Sequence, residues 1–130
     1  MPDVEILAVV AAAVAAFALG GTYYAVFGEQ LAAASDVAAA GEQPPPWVLA
    51  AELGRCLVLA LVVAGLASQG EVDEPAGGLA LGLALGIGFP LVLWTGAVIH
   101  ENTPWRLAAI HAGDWLSKLL VVGVLVSVWQ

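Results

Sequence analysis

Positive charge is nearly missing from this sequence. No lysine or arginine precedes Arg55, and only Arg106 and Lys118 follow it. A chain so poor in cations, with a formal net charge of −8, repels nucleic acid and anionic lipid head groups, so nucleic acid is not an expected partner. The same gap argues against a cleaved secretory signal, because such signals open with a positive region and this chain opens with Asp3 and Glu5. A single cysteine, Cys56, excludes an intrachain disulfide and is expected to pack as a small apolar side chain. Charged residues of both signs make up only 11% of the chain, against about 25% in soluble domains, which excludes a water-soluble globule.

Chemical motifs are equally sparse. There is no His-Glu-x-x-His and no glycine-rich phosphate loop after a strand, and Ser117 and Ser127 read as helix-packing hydroxyls rather than nucleophiles. His111 and Asp114, with His100 nearby, do not complete a recognised metal site. No enzymatic activity, cofactor or metal is therefore expected.

What the chain has in abundance is hydrocarbon: 62% of its residues are hydrophobic, and they fall into long runs. A bilayer core of about 30 Å needs about 20 helical residues, and four runs reach that length. The reading is a single transmembrane domain over residues 1–130, with helices at about 5–27, 47–68, 76–99 and 104–129. The fold class expected is all-α, an integral membrane bundle of four antiparallel transmembrane helices, since short connections join the last three. Asn102 or Thr103 is placed to cap the fourth helix, with Pro104 in its first turn. The longer Ala-rich connection after the first helix suits either a short interfacial helix within 29–42 or a plain polar loop.

The partner implied is the lipid bilayer, and the localisation is a cell membrane crossed several times. The side that carries the termini and Glu71-Val72-Asp73-Glu74 is wholly acidic, whereas Arg55 and Arg106 lie toward the other, so the positive-inside rule puts both termini outside.

Polar residues inside the runs are the functional signal. His111, Asp114 and Lys118 are spaced i, i+3 and i+7 and fall within a fan of roughly 60° on one helix face. From the interface marked by Trp47 and Trp105, Glu52 lies about 7 Å deep, His111 about 9 Å, Arg55 about 12 Å and Asp114 about 13 Å. Lys118 starts nearly 20 Å from that interface and has the stem to reach back. Tyr23, Tyr24 and His100 belong to the same half. Glu52, Arg55, Asp114 and Lys118 sum to zero formal charge, and an ion pair between Arg55 and Asp114 is expected at their centre.

Gly78, Gly82 and Gly86 repeat every four residues, a small-xxx-small seam that lets another backbone approach. The small residues of Val9 to Ala16 in the first helix are its expected partner, with a second copy or another membrane protein as the alternative. Pro90 is expected to kink the third helix beyond this seam.

The run Ala109-Ile110-His111-Ala112-Gly113-Asp114-Trp115-Leu116-Ser117-Lys118-Leu119-Leu120 resembles the C-terminal signature of small bacterial and archaeal membrane proteins catalogued as domain of unknown function 1761. Tyr23-Tyr24 followed by Phe27-Gly28 resembles that family's aromatic motif, with Tyr23 where a tryptophan is usual and a shorter gap before Phe27-Gly28. The resemblance implies four transmembrane helices and no established activity. Taken with the polar residues, the expected function is passage of protons or small solutes through a polar half-chamber. The alternative is a non-catalytic packing or assembly module held by a structural network of buried ion pairs.

Overall fold

The structure is a computed structural model, and it describes residues 4–35 and 45–129. Every regular element in it is helical. Helix α1 runs Ile6–Val26, α2 Gly28–Ala34, α3 Pro46–Gln69, α4 Pro75–Gly86, α5 Val92–Glu101 and α6 Trp105–Val128. A π-helical turn, Ile87–Leu91, joins α4 to α5 into one continuous rod, Pro75–Glu101. Four helices are thus long and apolar enough to cross a membrane: Ile6–Val26, Pro46–Gln69, Pro75–Glu101 and Trp105–Val128. The protein is a small all-α membrane protein. The short α2 opens the segment in which an interfacial helix was one of two expectations; positions 36–42 of that segment lie outside the described residues.

The interior is built from small side chains. Ala12, Ala13 and Ala16 of α1 share one buried cluster with Ala60, Val63, Ala64 and Ala67 of α3 and with Leu119, Val122 and Val126 of α6. Large apolar side chains point the other way, with Phe89 68% and Leu93 70% exposed. This inversion of the soluble pattern follows from the solvent. Lipid tails are as apolar as leucine, so helices gain from close backbone approach and van der Waals contact rather than from hiding hydrocarbon.

The last span is the hub, packing against α1, α3, α4 and α5. Its tightest seam is with α4, and here the sequence expectation is corrected. The glycines do not face the Ala-rich part of α1. A Cβ on Gly78 would collide with the Gly123 carbonyl and the Ser127 hydroxyl, one on Gly82 with the Leu119 carbonyl, and one on Gly86 with the Leu116 side chain. Partner numbers fall as glycine numbers rise, so these two helices run in opposite directions. The alanines of α1 pack instead with those of α3.

Proline and turn residues shape the rest. Pro46 and Pro75 stand at the first helical positions, where no N–H is needed. Pro90 sits buried inside the π turn, whose extra residue accommodates the ring and the missing donor. Asn102 does not cap α6: it closes α5 in the left-handed region at φ 55°, its own N–H and that of Thr103 returning to the Ala97 carbonyl. Pro104 occupies the cap position of α6, and no side chain caps that helix. Asn tolerates the left-handed region better than most residues, which suits it to this sharp reversal.

Candidate functional site

Four charged side chains form a linear network in one half of the bundle. Lys118 Nζ donates to Asp114 Oδ2 at 2.9 Å and to Glu52 Oε1 at 3.2 Å, and Arg55 donates to Glu52 Oε2 at 2.8 Å. The expected pair between Arg55 and Asp114 is therefore replaced by Lys118 with Asp114. Side chains on a helix tilt toward its N-terminus, so Lys118 folds back along α6 and lays its ammonium over Asp114 one turn earlier. Arg55, its side chain 58% exposed, is held by Glu52 on its own helix.

Local residues make this possible. Gly20 of α1 faces the ammonium, and a Cβ there would lie 2.9 Å from Lys118 Cε and 3.0 Å from Nζ. Trp115 lies beneath both cations, with Lys118 Nζ 5.2 Å and the Arg55 guanidinium 5.1 Å from its ring centroid. Such faces attract cations through the ring quadrupole.

A second, aromatic group adjoins the network. The Tyr24 hydroxyl and His111 Nδ1 share a hydrogen bond of 2.6 Å, and the indole of Trp94 stacks on the imidazole at 4.9 Å between centroids. Tyr23 meets Tyr24 edge-on, 5.5 Å between ring centroids, but takes no part in the hydrogen bond to His111. Its hydroxyl donates to the Ile110 carbonyl at 2.7 Å, clasping α1 to α6 over Gly113, where a Cβ would strike that hydroxyl. His100 is exposed at the end of α5, outside the cluster.

Network and aromatics border an open-sided cavity of about 680 Å³, lined by Glu52, Arg55, Asp114 and Lys118 together with Tyr24, His111, Trp94 and Trp115. One atom in it is conspicuous. Asp114 is 2% exposed, and its Oδ1 has no hydrogen-bond partner among the described residues. A buried carboxylate oxygen without a donor is costly, so this atom, which has almost no accessible surface, is suited to accept from a donor once the side chains around it part. Among the described residues, no three of His, Cys, Asp and Glu converge as metal ligands.

The family described as protein of unknown function (DUF1761) matches residues 7–127, which takes in all four spans and every residue of the cavity. The chain belongs to this family. No match was found among curated proteins or among solved structures. Within this DUF1761 chain, the Ala109 to Leu120 run supplies one wall of the cavity. Trp94 and Gly20 were not legible as site residues. An aromatic or a glycine in an apolar span has many ordinary uses, and only the facing helix shows that Trp94 covers His111 and that Gly20 leaves room for Lys118.

Proposed function

We propose that this DUF1761 protein passes protons or small polar solutes through the half-chamber, in a cell membrane with both chain termini outside. The observation that carries this reading is Asp114: a carboxylate removed from water, bonded on one oxygen to Lys118 and unpaired on the other, which borders the cavity. Ionisable groups inside a membrane usually mark solute or proton pathways, because inserting each costs about 2.5 to 3.5 kcal/mol or more. Asp114 is the acceptor for an incoming proton or donor group. Tyr24 and His111, joined through Nδ1, give a neighbouring pair between which a proton can shift. Glu52 and Arg55 complete the charge balance at the exposed end.

A second reading, a packing or assembly module with a structural ion network, is favoured by the two carboxylate bonds of Lys118. Against it, the glycine seam that would recruit a partner is already occupied by α6. Flux of protons and of small solutes into proteoliposomes, compared between wild type and Asp114→Asn, decides. Wild-type flux above empty vesicles that falls in the variant supports passage; flux equal to empty vesicles in both removes it.

A further inference from the structure

The chamber walled by the ion network has an almost wholly apolar neighbour. A groove of about 810 Å³ runs between the second and third spans, walled by Leu59, Val62 and Leu66 on one side and Phe89 and Leu93 on the other, with Leu119 at its floor. It exists because those two spans each lean on α6 and have at most a marginal contact with each other. Arg55, Trp94 and Trp115 line both groove and chamber, so the two volumes share a border made of side chains. Of these, Arg55 is largely exposed, bonded at its tip to Glu52 and resting on the Trp115 ring.

We propose that the pair of cavities binds a neutral, single-chain amphiphile with a hydroxyl head, of the long-chain alcohol class. Its tail lies in the groove and its head crosses the border to meet Asp114 Oδ1. This deepens the reading of the chamber as a place that receives a hydrogen-bond donor, and it rests on that reading.

The head class follows from charge. Glu52, Arg55, Asp114 and Lys118 already cancel, so an ionic head would leave a net charge in a low-dielectric site, whereas a hydroxyl supplies the missing donor without one. The tail class follows from the groove, where Arg55 is the one ionisable residue of the lining. A helix of a second copy suits the groove poorly. Close helix contact needs a run of small residues, and Leu, Val and Phe dominate these walls, with the seam glycines turned to α6.

The test uses the full chain in lipid nanodiscs, with Trp47, Trp105 and Trp129 changed to Phe so that Trp94 and Trp115 report. Fluorescence quenching is titrated with a long-chain alcohol brominated at mid-chain and with the matching alkane and carboxylate. The alcohol is expected to quench saturably at low mole fraction, and the other two only in proportion to their bulk content. Gly88 lines the groove, and a Cβ there meets nothing within 4 Å, so Gly88→Leu should fill the groove without disturbing the fold. It is expected to weaken alcohol binding by about tenfold or more, equivalent to about 1.4 kcal/mol, and to spare Asp114-dependent flux. Gly21 lines the chamber with equal freedom, and Gly21→Leu is expected to abolish both binding and flux. Equal quenching by alcohol and alkane, binding unchanged by Gly88→Leu, or disulfide cross-linking between copies of Gly88→Cys would each overturn the proposal. If flux still depends on Asp114 and Gly21 in those cases, the chamber reading stands while the amphiphile falls.

Discussion

Lys118 and Asp114 lie one helical turn apart on the last span, 2.9 Å between ammonium and carboxylate, with 2% and 3% of their side chains exposed. Each needs the other. In hydrocarbon an unpaired charge of either sign would be expelled or neutralised, and the pair survives because Lys118 also reaches Glu52, which connects to Arg55 at the exposed end.

Breaking that pair from one side should therefore be severe. Lys118→Met keeps much of the length and volume but leaves Asp114 without its cation, and it is expected to cost about 3 to 5 kcal/mol. The double variant Lys118→Met, Asp114→Leu removes both charges and should recover most of the loss. Thermal unfolding in detergent for the two singles and the double measures the coupling. A double variant as unstable as Lys118→Met would contradict the compensation argument.

Gly20→Ala tests the room beside the ammonium. The new Cβ would press on Lys118 at 2.9 to 3.0 Å, and Lys118 has little freedom to yield because two carboxylates hold it. The expected result is a destabilisation of about 1 to 3 kcal/mol by overpacking, with reduced flux, whereas Gly21→Ala leaves melting nearly unchanged.

Along the glycine seam, Gly82→Ala should destabilise more, since its Cβ would meet the Leu119 backbone rather than a movable side-chain end. A cost of about 2 kcal/mol or more is expected. Gly96→Ala, where a Cβ meets nothing, should be neutral or stabilise by about 0.5 to 1 kcal/mol through helix propensity. Paired melting curves distinguish contact from propensity.

At the end of α3 the chain reverses through Glu71 at φ 55°, with the Glu71 N–H returning to Ser68 and the Val72 N–H to Ala67. This helix ending usually places glycine in the left-handed position, and here Gly70 stands one residue early. Glu71→Gly is expected to stabilise by about 1 kcal/mol, seen as a raised melting temperature. No gain would mean that the Glu71 side chain compensates for the backbone conformation.

Tyr24→Phe removes the hydroxyl bonded to His111 Nδ1 and keeps the ring. A stability loss of about 1 kcal/mol is expected, with a larger fractional loss of flux if Tyr24 and His111 carry protons. Flux equal to wild type would take the pair out of the pathway.

Much of this arrangement was legible in residues read singly. Glu52, Arg55, Asp114, Tyr24 and His111 could be grouped in one leaflet from helical rise and interfacial tryptophans, and the structure places all five on one cavity, which Lys118 reaches through its long stem. His100 shared their depth on paper but lies on an exposed face, because depth along a helix says nothing about rotation around it. The glycine spacing showed that something would approach closely without saying what. Pro90 signalled an irregular turn whose π form depends on its neighbours.

By itself the sequence determined the solvent, the number of spans and which polar groups share a half of the membrane. Those follow from local quantities: the transfer energy of each side chain, the length of each apolar run and a fixed rise per residue. The tertiary structure decided the pairings: Lys118 rather than Arg55 on Asp114, α6 rather than α1 on the glycine seam, and Trp94 on His111. Pairing depends on how far each helix is rotated and slid against its neighbours, and that is set by the summed packing of small residues throughout the bundle. Packing on that scale is written in no single segment.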